Sequence, residues 1–192
     1  MAKWDFKDET EMWRLLVSHD SEDMVETRQQ AEKVFYGVAG GCCLEIGAGV
    51  GRLLQCAAPR FVSAIGVDSC RAIVQKSQEY LDGKFRCRVV LNDGLTLPFA
   101  DNSFDFVYSF TCFQHMPTLE IVQANLKEAF RALRKDGLCR IQTVKGTPDP
   151  GRYDGVVFPS EGAFYQEWLA VGFSDGKYES HGEWIWVTAR KP

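Results

Sequence analysis

The fold is decided by the stretch Cys42-Cys43-Leu44-Glu45-Ile46-Gly47-Ala48-Gly49-Val50-Gly51-Arg52. Its first half is a short apolar run with one acidic residue near the end, which predicts a buried strand. Three alternating glycines follow and lead into Leu53, Leu54, Ala57 and Ala58, so we expect a tight turn and the start of a helix. Glycine has no Cβ and tolerates positive φ, and free backbone donors at a helix N-terminus attract negative groups. The stretch therefore predicts a turn that receives a nucleotide-like ligand.

The glycine spacing separates two classes of ligand. A dinucleotide fingerprint, Gly-x-Gly-x-x-Gly, would need a third glycine at position 52, which holds Arg52. This disfavours a nicotinamide-dependent dehydrogenase. The spacing Glu-x-Gly-x-Gly-x-Gly resembles motif I of the class I S-adenosylmethionine-dependent methyltransferases. The resemblance implies that the backbone of Gly47, Ala48, Gly49 and Gly51 packs along the methionine and ribose of the cofactor, and that Glu45 orients the loop and the amino group.

A second strand is predicted over residues 61–68 and ends in Asp68. A carboxylate at that position can accept hydrogen bonds from both ribose hydroxyls, as in Rossmann sites. Asp68-Ser69 also resembles the second motif of the methyltransferases. The alternative is that Asp68 caps a helix predicted over residues 70–81.

A third strand over residues 86–91 precedes a longer pattern, Asn92 to Ser109. It is very similar to the methyltransferase pattern Asp-x-x-x-Leu-Pro-Phe-x-Asp-x-Ser-Phe-Asp-x-Val. The resemblance implies that Asp93 accepts the adenine amine and that the backbone of Gly94 and Leu95 meets the ring edge. It also makes residues 104–109 the fourth strand, with Ser109 and Phe110 on the cofactor side.

The loop after the fourth strand carries His115, just before Met116-Pro117. Loops at the carboxyl ends of parallel strands face the ligand, and an imidazole titrates near neutrality. His115 is therefore the candidate catalytic residue, as a proton acceptor from the substrate. The alternative is a histidine that bonds only to local backbone.

The remaining pattern predicts a single α/β domain over residues 1–192, with helices on both faces of a mostly parallel, Rossmann-like sheet. Its parts are N-terminal helices over residues 1–40 (a lid or core packing), the cofactor-binding core over 42–144, and a substrate-side loop, last helix and terminal hairpin over 145–192. The resemblance implies seven strands in the order 3-2-1-4-5-7-6, the last antiparallel. Further predicted elements are a helix over 22–36, an amphipathic helix over 118–134 with a solvated basic end, a fifth strand over 138–144, a long loop over 145–159, a helix from Ser160 to Val171 and a hairpin of 177–181 with 183–189. Candidate substrate contacts are Gln142, Arg152, Tyr153 and Phe158.

Composition and charge indicate which kinds of partner and which cellular environment to expect. The chain has 192 residues, a formal net charge of −4 and 45% apolar residues, an ordinary globular balance. The acidic balance disfavours a nucleic-acid partner, and we expect neither a membrane span nor a signal peptide. Seven cysteines without a Cys-x-x-Cys predict reduced thiols in a cytoplasmic protein. Three scattered histidines suggest no metal site.

The sequence thus predicts methyl transfer from S-adenosylmethionine to a small or medium-sized acceptor. Ser109-Phe110-Thr111-Cys112 stands where amino-directed nucleic-acid methyltransferases carry Asn/Asp-Pro-Pro-Tyr. The alternative function is a non-catalytic, cofactor-binding subunit that activates a partner. The acceptor and the oligomeric state are left open by the sequence.

Overall fold

The computed structural model describes residues 21–83, 86–148 and 153–192. The strands in these ranges are β1 (Cys42–Ile46), β2 (Ser63–Asp68), β3 (Cys87–Leu91), β4 (Phe104–Ser109), β5 (Leu133–Val144), β6 (Ser174–His181) and β7 (Trp184–Arg190). The α-helices are α1 (Ser21–Val34), α2 (Leu54–Ala57), α3 (Arg71–Leu81), α4 (Leu119–Ala132) and α5 (Glu161–Val171), and a 3-10 turn spans Phe113–His115. The predicted N-terminal helical region before Ser21, with its candidate lid, lies outside the described residues.

Over these ranges the seven strands have the order β3-β2-β1-β4-β5-β7-β6. β2 runs parallel to β1 and to β3, and β5 runs parallel to β4. β7 runs antiparallel to both β5 and β6. The predicted Rossmann-like sheet, its strand order and its single reversed strand are therefore confirmed.

The chain forms two compact units, Met1–Leu91 and Asn92–Pro192. In the first unit, β1 is buried along most of its length because it reads as a continuous apolar run, as expected for a strand covered on both faces. Ala31, Val34 and Phe35 at the end of α1 are buried as well. Phe35 packs edge-to-face on Phe61 at 5.8 Å between ring centroids, which ties α1 to the chain entering β2.

In the second unit, β7 places Ile185, Val187 and Ala189 on its buried face. Trp184 and Trp186 share the opposite, half-buried face, because successive strand residues alternate. Phe164 and Trp168 of α5 are fully buried and pack edge-to-face at 5.9 Å. Both ends of α5 are capped: Ser160 Oγ accepts from Ala163 N at 3.2 Å, and Gly172 ends the helix in the left-handed conformation.

One predicted helix is short, and the predicted start of the fifth strand is wrong. The helix after the glycine turn has only four residues, Leu54–Ala57, so it contributes little of the helix dipole that the sequence suggested. β5 begins at Leu133 rather than at 138, because Leu133 already pairs with Phe104. Asp136-Gly137 is an Asp-Gly pair of the kind that is typical of turns, but here it forms a bend inside the strand, with Asp136 at φ +63°.

The basic end of α4 is only partly the solvated face that the sequence predicted, because Arg134 and Lys135 are exposed but Arg131 is half-buried. Arg131 bonds Glu128 through Nε at 2.8 Å and Asp101 through Nη1 at 2.6 Å. Its guanidinium also donates to the carbonyls of Leu97 and Phe99. One arginine therefore fastens the segment 97–101 to α4.

Candidate functional site

The glycine turn of the first unit uses left-handed backbone at all three glycines, with φ of +71° at Gly47, +57° at Gly49 and +92° at Gly51. Residues with a Cβ rarely adopt this region, which explains the three glycines. The backbone N–H groups of Gly47 and Ala48 both donate to Val67 O at 2.9 Å. The turn is thus fastened to the end of β2, as expected for a preformed loop.

Space around the glycines differs from one to the next. A Cβ on Gly51 would come within 2.8 Å of a methyl carbon of Leu81. A Cβ on Gly49 would meet nothing within 4 Å, so the face of the turn over Gly49 is open. This open backbone face can accommodate part of a ligand.

Asp68 and the glycine turn are brought together by a direct hydrogen bond. Gly49 N donates to Asp68 Oδ2 at 3.0 Å, and Cys70 N donates to Oδ1 at 2.9 Å. Burial raises the pKa of the Asp68 carboxyl, while the bonds from Cys70 and Gly49 act in the opposite direction. The helix α3 has Cys70, not Asp68, at its N-cap position, so Asp68 orders the turn rather than capping the helix.

Glu45 and Ser69 occupy contrasting environments. The Glu45 side chain is buried in β1, beside Gly66 in the register of β1 with β2. Ser69 is exposed. Burial of the Cys87 thiol, and next the negative charge of Glu45, raise the pKa of Cys87 to about 11. The cysteine is therefore a neutral thiol, consistent with the absence of disulfides among the seven cysteines, all of which lie in the described ranges.

Asp93 of the second unit folds its own turn. Its Oδ1 accepts from Leu95 N at 2.8 Å and Thr96 N at 2.7 Å, and its Oδ2 accepts from Thr96 Oγ1 at 2.9 Å. These bonds, led by the one from Thr96 N, lower the pKa of Asp93. Asn125 Nδ2 donates to Gly94 O at 2.9 Å. Asn125 was not predicted from the sequence, because a contact between residues 31 positions apart leaves no local signal.

β4 ends at the buried Ser109. The loop after it begins at the half-buried Phe110, whose ring stacks on Trp186 with 5.7 Å between the centroids. Thr111 follows with φ +50°, and its N–H donates to Gln142 Oε1 at 3.2 Å. The expectation that Gln142 points into a substrate pocket is not met, because its buried amide supports the loop instead.

His115 ends the 3-10 turn, and its Nδ1 lies 2.8 Å from Asp154 Oδ1. The two side chains are 27% and 29% exposed. The pairing rules out the interpretation of His115 as a residue bonded only to local backbone. Asp154 was not singled out from the sequence, since it lies 39 residues away in a loop.

The other three candidate substrate contacts are Phe158, Tyr153 and Arg152. Phe158 is buried against Phe164, with ring centroids 4.6 Å apart, so it is a core residue. Tyr153 packs edge-to-face on Trp184 at 6.1 Å. Arg152 lies outside the described residues. Arg140 of β5 donates through Nε to Thr188 Oγ1 of β7 at 3.1 Å, and burial lowers the pKa of its guanidinium.

A metal site and a membrane-spanning helix are both absent from the residues that the structure describes. No group of histidine, cysteine or acidic side chains there could hold a metal ion. None of the helices there is long and apolar enough to cross a membrane.

The sheet order, the glycine turn and the acid at the end of β2 define the fold of the class I S-adenosylmethionine-dependent methyltransferases. Residues 44–141 match the family model described as "Methyltransferase domain", and the chain belongs to that family. Two curated relatives support this. The chain is 35% identical over 104 residues to malonyl-[acyl-carrier protein] O-methyltransferase of Geobacter sulfurreducens, a match that covers 53% of this chain and 38% of that protein. It is 32% identical over 95 residues to phosphoethanolamine N-methyltransferase 2 of Caenorhabditis elegans, covering 48% of this chain and 22% of that protein.

Solved structures agree on the fold. A SAM-dependent methyltransferase from Aquifex aeolicus superposes with a TM-score of 0.73 at 18% identity, covering 96% of this chain and 99% of that one. Phosphoethanolamine N-methyltransferase 2 of Haemonchus contortus, solved with S-adenosyl-L-methionine, gives a TM-score of 0.71 at 18% identity, covering 88% of this chain and 52% of that one.

Proposed function

We propose that this protein transfers a methyl group from S-adenosylmethionine to a small or medium-sized acceptor. The observation that carries the proposal is the hydrogen bond from Gly49 N to Asp68 Oδ2, which joins the glycine turn to the acid at the end of β2 in a chain of the methyltransferase domain family. The alternating glycines, the buried Glu45 and the partly buried Asp68 are the features that the motif resemblance requires in the first unit.

The residues present fit the cofactor. When bound, S-adenosylmethionine would supply a methyl group on a positively charged sulfur, and the sulfur keeps the electron pair of the carbon–sulfur bond as the methyl group is transferred. A carboxylate has about four lone-pair sites, and Asp68 spends one on Gly49 and one on Cys70. The remaining sites can accept from ribose hydroxyls. The open face over Gly49 gives a ligand close access to the backbone.

The other proposed cofactor contacts come from the motif resemblance after β3. We assign Asp93, Gly94 and Leu95 to the adenine ring, with Ser109 and Phe110 following β4. The turn at Asp93 is already closed by Thr96, and Asn125 fixes the carbonyl of Gly94. Preordered backbone of this kind lowers the entropy lost when a ligand binds.

The chemistry asks little of the protein beyond position. The residues must hold the acceptor nucleophile in line with the methyl carbon and exclude water. Where the nucleophile carries a proton, His115 is the group we assign to accept it. Positioning alone explains why no denser catalytic motif is present.

The acceptor class and the cellular location are part of the proposal. The two curated relatives are named for a phosphorylated amino alcohol and a malonyl thioester as acceptors. The formal charge of −4 disfavours a polyanion such as nucleic acid. Seven free thiols, three of them buried, support a cytoplasmic location.

Calorimetric titration with S-adenosylhomocysteine tests the cofactor, with NAD as the negative control. We expect micromolar binding of the first and none of the second. Asp68→Ala should weaken binding by about 1–3 kcal/mol, the cost of leaving polar groups unpaired. Asp82→Ala removes the same charge from an exposed position of the same unit and should leave binding unchanged. Equal affinity for the Asp68→Ala variant and the unmodified protein would contradict the ribose assignment.

Turnover separates the enzyme from the non-catalytic alternative. Phosphoethanolamine and malonyl-acyl carrier protein are the first acceptors to supply, with methylated product measured by mass. Product from either acceptor supports the enzyme. Tight binding of S-adenosylhomocysteine without product from any acceptor in a wider screen would favour the activator subunit.

A further inference from the structure

His115 and Asp154 form a side-chain pair in the second unit, with Nδ1 of the histidine 2.8 Å from Oδ1 of the aspartate. We propose that Asp154 is a positioning residue that keeps the proton of the neutral imidazole on Nδ1. Nε2 then carries the basic lone pair, because a neutral imidazole has one N–H and one acceptor nitrogen. The catalytic use of this pair rests on the proposed methyl transfer.

Backbone hydrogen bonds lock the pair from both segments. Gly155 N donates to Gln114 O at 3.1 Å, and Val156 N donates to Met116 O at 2.9 Å. The residues after Asp154 are therefore paired with the two residues that flank His115. The partners cannot slide past one another, since any shift would break both bonds.

Gly155 explains how the two backbones come so close. A Cβ at this position would lie 2.4 Å from Met116 O and 2.7 Å from Gln114 O. Only glycine fits, so the sequence Asp154-Gly155 combines the carboxylate with the small residue that lets it reach the histidine.

The chemical consequence is a histidine held ready to accept a proton on one defined atom. The acceptor's N–H or O–H proton would pass to Nε2, and the electron pair of that bond would remain on the nucleophile to form the new bond to carbon. The Nδ1–H group keeps donating its hydrogen bond to the Asp154 carboxylate, whose negative charge stabilises the resulting imidazolium. The arrangement follows the same logic as the carboxylate that orients the histidine of a serine protease.

Nitrogen-15 NMR of protein labelled at histidine tests the pair without any methyl donor or acceptor. At alkaline pH, where the imidazole is neutral, we expect His115 in the Nδ1–H form, identified by the signals that His115→Gln removes. Asp154→Ala should shift these signals toward the Nε2–H form that predominates in water. Asp154→Glu keeps a carboxylate and should restore a measurable share of the Nδ1–H form. Asp175→Asn removes a charge on β6 and should leave the signals in place.

An unmodified protein with His115 mainly in the Nε2–H form would overturn the proposal, as would signals unaffected by Asp154→Ala. The first outcome needs no variant, so it stands even if Asp154→Ala fails to fold. With an acceptor in hand, Asp154→Ala should lower kcat by roughly 10–100-fold at unchanged KM, as loss of an orienting partner does elsewhere. Failure of the S-adenosylhomocysteine titration would remove the methyl-transfer role but not the tautomer result, so the two proposals fail separately.

Discussion

At the scale of single residues, the glycine turn depends on a position outside it. Gly66 lies in the middle of β2, and a Cβ there would come within 2.4 Å of the Ala48 Cβ and 3.3 Å of a Leu54 methyl carbon. Ala48 belongs to the turn itself, between Gly47 and Gly49. The absence of a side chain at Gly66 therefore sets how closely the turn can approach the sheet.

Gly66→Ala should both destabilise the fold and displace the turn. Overpacking of this kind costs about 1–3 kcal/mol. The affinity for S-adenosylhomocysteine should fall together with the denaturant midpoint. Gly162→Ala is the matched control, because its nearest atom is 3.8 Å away and it lies in α5. That change should stabilise the protein by about 0.4–1 kcal/mol. Undiminished affinity in Gly66→Ala would show that the turn adapts.

Asp68 gives a prediction on pH. Its folded-state pKa is raised by burial above the ordinary 3.8, so the folded protein binds the proton more tightly than the unfolded chain does. The contribution of Asp68 to stability should therefore be largest below 3.8 and decline as pH rises through the raised pKa. Urea unfolding of the unmodified protein and Asp68→Asn, at several pH values from neutral to acid, measures this. The stability difference should shift in favour of the unmodified protein on acidification. A shift the other way would mean that the backbone hydrogen bonds outweigh burial.

At the scale of elements, Arg131 connects α4 to the segment that leads into β4. Its guanidinium satisfies two carbonyls and two carboxylates at once, and the Glu128 and Asp101 hydrogen bonds raise its pKa. Arg134, three residues later in β5, instead pairs with Asp105 at 2.7 Å, where the two side chains are 47% and 39% exposed. Two neighbouring arginines thus have different roles.

Replacing Arg131 with methionine should lower the free energy of unfolding by about 1–3 kcal/mol, because partly buried carbonyls and a carboxylate lose a charged donor. Arg134→Met removes an exposed pair and should cost less than about 1 kcal/mol. Chemical unfolding of the two variants gives the comparison. Similar costs for both would mean that Arg131 is only another surface ion pair.

Elements with a strong local signal were predictable. The apolar runs placed β1, β2 and β3 within a few residues, and the motif resemblance gave β4 with its observed bounds. The β5 start was wrong, because Asp136-Gly137 reads as a turn although the residues before it already pair with β4. In the site, the turn and Asp68 were found because they lie in short motifs. Gln142, Asn125 and Asp154 were misassigned or missed, because their partners lie 31 to 39 residues away and no periodicity reports such contacts.

At the scale of the whole molecule, the family match and the folded core have different extents. The match ends at residue 141, yet β7 pairs with β5 from Leu138 to Val144. The side chains of Ile185 and Val187 are fully buried, as are those of Phe164 and Trp168 in α5. The residues after the matched region therefore complete the core of the second unit, and we expect them to contribute substantially to its stability.

Ile185→Ala tests this expectation. Truncating a fully buried aliphatic side chain leaves a cavity and should cost about 2–5 kcal/mol, measured as a lower guanidinium midpoint at unchanged slope. Val62→Ala is the matched control, because Val62 is 78% exposed and its truncation should stay within about 0.5 kcal/mol. An Ile185→Ala midpoint equal to that of Val62→Ala would mean that β7 is only an appendage. A large loss would show that β7 is part of the core of the second unit, where it borders β5, the strand whose Gln142 supports the loop after β4.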